Sequence, residues 1–132
     1  MIAKILEYII KSEVAPVVDI QRVLSNNGGE IKVSELLSTL GGDSGCDHRD
    51  LIPAYLINLE RLGLIEIVRD GHLARADAYD RIINDPSIIN FINALSAAGG
   101  ENFHGDIKKY YVRGTVFGKQ FNQACIVSRD KT

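Results

Sequence analysis

The sequence is poor in the residues that mark several large classes of protein. Among its 132 residues there is no tryptophan, one methionine, three prolines and only two cysteines, Cys46 and Cys125. Small secreted domains usually depend on several disulfides and on an export signal. We therefore predict a cytoplasmic protein in which both thiols are reduced.

Long apolar runs are also missing. The N-terminal stretch is interrupted by Lys4, Glu7 and Lys11, and its apolar residues recur at helical spacing. This pattern predicts an amphipathic helix and not a signal peptide. No run reaches the length of a membrane span, so we expect no membrane association. The chain starts directly inside this helix, which suggests a domain cut from a longer protein.

A strong overall charge is lacking, but the charge is unevenly distributed. The net charge is −2, which excludes a grossly basic protein that coats nucleic acid. Residues 107–132 carry six basic side chains and one acid, whereas residues 1–106 carry nine basic and sixteen acidic ones. A basic end on an acidic body can meet phosphate or an acidic partner, and it can equally be a solvated surface.

The spacing of apolar residues predicts a helix-turn-helix. Ser34 is placed to cap a first helix, whose buried side would be the leucines of residues 36–40. An apolar stripe predicts a second helix over residues 48–62, followed after Gly63 by a strand over residues 64–68. With a short strand before Ser34, this order predicts an α+β, winged-helix-like domain.

The predicted wing is a small antiparallel sheet interrupted by a helical insertion. Its second strand would be Ile107–Arg113, and residues 72–106 before it show helical patterns, with Asp85 and Pro86 as an N-cap and first-turn pair. Residues 17–24 fit a strand and a helix equally well. We expect residues 1–132 to form one domain.

A last helix is predicted near the C-terminus. Thr115 would cap it, and it would run over Val116–Val127. The side chains expected to bury it are Phe117, Phe121 and Cys125.

Two blocks of the sequence are similar to a known family. They are LIPAYLINLERLGLIEI at residues 51–67 and YYVRGTVFGKQFNQACI at residues 110–126, and the opening AKILEYI at residues 3–9 agrees with them. In this order they resemble the Abi-alpha family, which is associated with bacterial abortive phage infection. The resemblance covers most of residues 1–127. It implies a phage-defence role and no catalytic residues.

The basic residues near the predicted second helix and wing are candidates for contact with nucleic acid or a partner. In a winged helix the second helix enters the major groove, and affinity depends on neutralising phosphates. Acids accompany several of these residues, so they can also be plain surface charges. The candidates are Arg49, Arg61, Arg69, Lys108, Lys109 and Arg113.

The insertion offers a candidate protein interface. Its second helix is apolar over more than one narrow stripe, because Phe91 falls off the line of the other apolar residues. Such a helix is either buried in the core or packs against a partner. The candidate interface residues are Ile88, Phe91, Ile92 and Leu95.

Sites for chemistry are sparse. Cys46 and His48 lack the second ligand pair of a closed zinc site, and no nucleophile has a base and an orienting group at suggestive spacing. An enzyme would need a polar cleft that collects Asp43, Asp47, His48 and His104. We predict no cofactor, no metal and no small-molecule substrate.

The favoured hypothesis is a non-enzymatic protein-interaction module of a bacterial phage-defence protein. It would bind a protein partner or a second copy of itself. The alternative is a DNA-binding winged-helix transcriptional regulator.

Overall fold

The computed structural model describes residues 2–26, 28–45 and 49–127, with Arg49 and Val127 described by their backbone alone. Four strands form a curled, half-barrel antiparallel sheet in the order β2-β1-β4-β3. The strands are β1 (Val14–Leu24), β2 (Glu30–Leu37), β3 (Ile65–Val68) and β4 (Phe103–Gly114). The helices are α1 (Ile2–Ser12), α2 (Leu40–Asp43), α3 (Ile52–Arg61), α4 (Asp80–Ile83), α5 (Pro86–Gly99) and α6 (Val116–Phe121). A 3-10 turn (Arg49–Leu51) leads into α3, and π-helical turns (Asn122–Val127) follow α6.

The winged-helix prediction is wrong, although the α+β class is right. The predicted first helix of the helix-turn-helix is strand β2 up to Leu37, and it pairs with β1 at Ile20↔Ser34 and Val18↔Leu37. Because that helix is missing, the described residues do not form the predicted helix-turn-helix. The two predicted wing strands do pair antiparallel, from Ile65↔Gly114 to Val68↔Tyr111, but they do not form a small wing, since β4 is a central strand that also pairs with β1 from Phe103 to Arg113.

A buried polar cluster explains why residues 34–37 are a strand. The Leu36 N–H donates to Asp19 Oδ1 (3.1 Å) and lies 3.3 Å from the Tyr110 hydroxyl oxygen, and that hydroxyl donates to the same carboxylate. Burial, followed by the bond to Asp19, raises the pKa of Tyr110 far above its usual value. Leu36 adopts a left-handed backbone (φ 54°), a conformation that tertiary contacts must hold in place. The long-range bonds to Asp19 and Tyr110 therefore override the helical spacing of the leucines.

The two faces of the sheet are covered by different helices. Side chains alternate along a strand, so Val17 and its partner Tyr110 join the large core with α1 and α3, while Val18 points to the other face. There it packs with Tyr79 and Ile82 of the α4 region. Helix α5 covers the same face further along β4, where the Gly105 N–H donates to Ser96 Oγ (2.9 Å).

Candidate functional surface

A backbone joint connects the end of α3 to the start of α6. The Thr115 N–H donates to the Leu64 carbonyl (3.2 Å), and its hydroxyl donates to the Gly63 carbonyl (2.6 Å). The same hydroxyl accepts from the Gly118 N–H (2.9 Å), as an N-cap does. We call Gly63, Leu64, Thr115 and Gly118 the joint. It brings the two family-like blocks, residues 51–67 and 110–126, into direct contact.

Two glycines make this joint possible. Gly63 has φ +78°, which ends α3 in the left-handed conformation that glycine tolerates. A Cβ built on Gly118 would overlap the Leu64 carbonyl oxygen, so the two backbones approach more closely than any side chain allows. Helix α6 therefore packs through its backbone at Gly118.

The consequence is an exposed apolar surface around the joint. Leu62 is 58% exposed, Val116 73%, Phe117 54% and Phe121 37%. The rings of Phe117 and Phe121 lie one helical turn apart, with centroids separated by 6.4 Å. We call these four residues the α6 patch. Clusters of exposed large apolar side chains mark interaction surfaces more often than scattered ones do.

An apolar groove of about 300 Å³ continues from this patch. It lies between the start of α1, the end of α3 and the C-terminal helix, and Leu62 and Phe121 belong to both patch and groove. Cys125 lines it as an exposed free thiol. The apolar surface around the joint therefore includes a groove as well as the α6 patch.

The charges beside the patch are positive. Arg61 directly precedes Leu62, and Lys119 neighbours Val116 on the surface of α6; both side chains are exposed, and neither has an ion pair within the described residues. The acids of this region are already bound: Glu66 Oε2 accepts from Arg113 (2.7 and 2.9 Å), and Glu60 lies 3.3 Å from Arg69. The patch therefore combines apolar side chains with unneutralised cations.

The sequence profile of the abortive infection alpha family matches residues 3–125. The chain belongs to that family. The match confirms the resemblance read from the two sequence blocks, and both blocks of this abortive-infection protein meet at the joint.

A solved structure supports the fold of the abortive-infection protein. It is an uncharacterized protein from the hydrocarbon-degrading marine bacterium Alcanivorax borkumensis SK2, with 19% identity and a TM-score of 0.53. The alignment covers 90% of this chain and 80% of that one. No curated protein matches the chain.

The basic residues predicted to bind nucleic acid or a partner do not share one surface. Lys108 and Lys109 are neighbours on β4 and point to opposite faces of the sheet. Lys109 lies 5.6 Å from the centre of the Tyr79 ring. Arg69 and Arg113 are held by Glu60 and Glu66 as described above. Arg61 lies beside the α6 patch, and the side chain of Arg49 is outside the described residues.

The predicted interface on α5 divides into two parts. Ile92 and Leu95 face the sheet at Gly105, and Ile88 lines a cleft beside β2 and α3. Phe91 is 43% exposed. Ala94 and Ala98, three and seven residues further on, are exposed on the same side of α5. We call Phe91, Ala94 and Ala98 the Phe91 row.

The residues named for an enzyme cleft are not collected in the described part of the chain. Asp43 accepts from Arg81 (2.6 and 3.1 Å) and from the Thr39 hydroxyl (2.6 Å). Burial alone would raise the pKa of Asp43, but the bonds from Arg81 and Thr39 outweigh it and lower the pKa. His104 of β4 pairs with Val23 of β1, and it lines none of the clefts at Asp43. Asp47 and His48, like Cys46, lie outside the described residues.

The α6 patch was not predicted from the sequence. The apolar spacing predicted that Phe117, Phe121 and Cys125 are buried, and the structure has all three exposed. The signal was Gly118, three residues after the capping Thr115, because a glycine inside a short helix is typical of close backbone approach.

Within the described ranges, no helix is both long and apolar enough to cross a bilayer.

Proposed function

We propose that this abortive-infection protein is a non-enzymatic interaction module that binds a protein partner through the α6 patch during the response to phage. The observation that carries the proposal is the joint. It holds a six-residue helix by main-chain contacts and leaves Val116 and Phe117 in solvent. Exposed aromatic side chains on a rigid support are typical of binding hot spots.

The charged cleft at Asp43 supports the non-enzymatic part of the proposal. Its carboxylate accepts hydrogen bonds from Arg81 and Thr39, and its lowered pKa keeps it ionised. A general acid or base needs a pKa near the working pH, and a nucleophile needs an adjacent base. The described residues of this cleft provide a structural ion pair that joins α2 to α4.

The DNA-binding alternative loses its structural premise. It required a recognition helix in a helix-turn-helix and a small basic wing, whereas the described residues form a four-stranded sheet in which the two wing strands are β3 and the central strand β4. Its basic residues lie on both faces of the sheet, and two of them are bound to carboxylates. No described feature favours it over a protein partner.

A phage-challenge assay tests the proposal. Cells expressing the wild type or the Phe117→Ser variant would be compared for plaque formation, with protein levels matched by immunoblot. We expect Phe117→Ser to reduce protection by roughly tenfold or more, since an aromatic hot spot contributes about 2 kcal/mol or more to binding. Ile57→Ser, an exposed residue of α3, is the matched control and should leave protection unchanged.

Two outcomes would contradict the proposal. If Phe117→Ser protects as well as the wild type, the α6 patch is not the working surface. If Asp43→Asn abolishes protection while its circular dichroism and melting temperature stay normal, chemistry at the Asp43 cleft replaces the interaction role.

A further inference from the structure

Strand β2 has main-chain hydrogen-bonding groups that no described strand pairs. It is the outermost strand on its side of the sheet, so only one of its edges is covered, by β1. The Leu24 N–H donates to the Gly29 carbonyl (3.0 Å), which fixes the alternation of hydrogen-bonded pairs along this ladder. Ile31 therefore turns its N–H and carbonyl towards β1, and Glu30 and Lys32 turn theirs away from it. Those four groups are the ones that another extended strand would bond.

The open part of this edge is short. Register shifts interrupt the β1–β2 ladder beyond the Gln21↔Lys32 pair, so regular pairing covers residues 30–32. Bulges of this kind restrict how a sheet edge can pair. Ile31 in the middle is 42% exposed, and the side chains on either side of it, Glu30 and Lys32, lie on the opposite face. A strand that pairs here has to fit these three side chains.

A second copy of β2 fits this edge in one register. Shifts by a single residue are excluded, because they would join opposite faces of the two sheets. Of the antiparallel registers that remain, two put like charges opposite each other, either Lys32 against Lys32 or Glu30 against Glu30, which is unfavourable. The third places Glu30 of each copy opposite Lys32 of the other, with the two Ile31 side chains adjacent between them. In this register all four outward main-chain groups of each copy are bonded.

The charges on β2 allow this match. The Glu30 side chain is exposed and has no ion pair among the described residues. The Lys32 ammonium lies 3.2 Å from Glu35 and 3.8 Å from Asp19, but 49% of its side chain is exposed. The carboxylate of Glu30 from the other copy can therefore approach Lys32 from the solvent side. Opposite charges that face each other across two strands stabilise their pairing.

We propose that two copies of the protein pair through their β2 strands, antiparallel and about a two-fold axis, into one continuous sheet. The same residues of both copies form the contact, so the product is a closed dimer. This inference goes beyond the proposed function, since the α6 patch adjoins β3 at the other edge of the sheet and takes no part in the contact.

The dimer is expected to be weak. Three residues of each copy meet, whereas a standard interface uses roughly 20–30 residues on each side. Dimer formation should therefore depend on protein concentration. Added salt should weaken it, because the two charge pairs are exposed to solvent.

Charge reversal tests the register. Glu30→Lys puts a lysine opposite Lys32, and Lys32→Glu puts a glutamate opposite Glu30. Each variant alone should thus dimerise about tenfold more weakly than the wild type in sedimentation equilibrium. An equimolar mixture restores both opposite-charge pairs in a mixed dimer and should return the affinity to near that of the wild type. Glu101→Lys, an exposed acid outside β2, is the matched control and should dimerise like the wild type.

Hydrogen exchange tests the same register in the unmodified chain. The N–H groups of Glu30 and Lys32 are bonded only in the dimer, so their exchange should slow as the protein concentration rises. The slowing should be about tenfold once about nine-tenths of the protein is dimeric. The Ile31 N–H is bonded to β1 in both states, and its exchange should stay constant.

Three results would overturn the inference: a wild type that stays monomeric at every concentration, single variants that dimerise as tightly as the wild type, or a Lys32 amide whose exchange is independent of concentration. The first would leave this edge to a strand of another protein, and the second would place the dimer contact elsewhere on the surface. Circular dichroism and melting temperatures establish whether the variants are folded. If Lys32→Glu is not, Glu30→Lys and hydrogen exchange decide the question.

Discussion

Helices α5 and α6 both expose aromatic side chains, yet they are held in different ways. Helix α5 has fourteen residues, is capped by Asp85, and packs on Gly105 through the side chains of Ile92 and Leu95 as well as the Ile92 carbonyl. Helix α6 has six residues and is held by main-chain contacts at the joint. A helix that is fixed through its backbone can expose its apolar side chains. A helix that packs mainly through its side chains exposes only the apolar side chains at the edges of its buried face.

The largest loss of stability is expected from Gly118→Ala. The added methyl group overlaps the Leu64 carbonyl and should force α6 away from the joint, which lowers the free energy of unfolding by about 3 kcal/mol. Urea denaturation measures this change. Gly71→Ala, where a Cβ meets only ordinary van der Waals contacts, is the control. Equal, small losses for the two variants would show that the joint does not depend on backbone contact.

Within residues 72–106, the predicted insertion, we expect the largest loss of stability from a substitution of Tyr79. Its hydroxyl donates to the Tyr110 carbonyl (2.7 Å) and accepts from the Leu73 N–H (3.0 Å), which ties the insertion to β4. Tyr79→Phe takes this partner from the buried Tyr110 carbonyl and the part-buried Leu73 N–H, and should lower the free energy of unfolding by about 2 kcal/mol. Tyr55→Phe, whose hydroxyl has no partner among the described residues, should be close to neutral. If thermal unfolding gives the same result for both, the hydroxyl of Tyr79 does not anchor the insertion.

A smaller effect is expected at the cap of α6. Thr115→Val removes the bonds to Gly63 and Gly118 at nearly constant shape, and the loss should be about 1 kcal/mol. Thr115→Ser keeps the hydroxyl and should recover most of that stability. In hydrogen exchange, the Gly118 amide should lose protection in the valine variant only. Unchanged protection in that variant would mean that the cap is dispensable.

The smallest effect is expected from Arg81→Gln, and it should depend on pH. Because the bonds to Asp43 lower the pKa of its carboxyl below 3.8, the stabilisation from this ion pair is present above pH 3.8 and is lost as the pH falls through the lowered pKa. The variant should thus be slightly less stable than the wild type at pH 7 and equal to it in strong acid. Urea unfolding at several pH values measures the difference, and a gap that persists in acid would exclude the ion pair as its cause.

Local patterns in the sequence determined several elements of this protein. The apolar stripes predicted α1 and α3, Asp85 with Pro86 predicted the start of α5, and Thr115 predicted the start of α6. Each of these signals acts over one or two helical turns, so neighbouring residues suffice to form it. The family could also be recognised, because its two blocks are continuous in sequence.

Only the tertiary structure decided the identity of β2 and the outward direction of the aromatic residues in α6. Leu36 takes its strand position from Asp19 and from Tyr110, which is 74 residues away, and no local spacing encodes that bond. Phe117 and Phe121 share the spacing of a buried face, but the residue of α6 that is buried, against the Leu64 backbone, is Gly118, and both phenylalanines are exposed. In both cases contacts between distant segments outweighed the periodicity of nearby side chains.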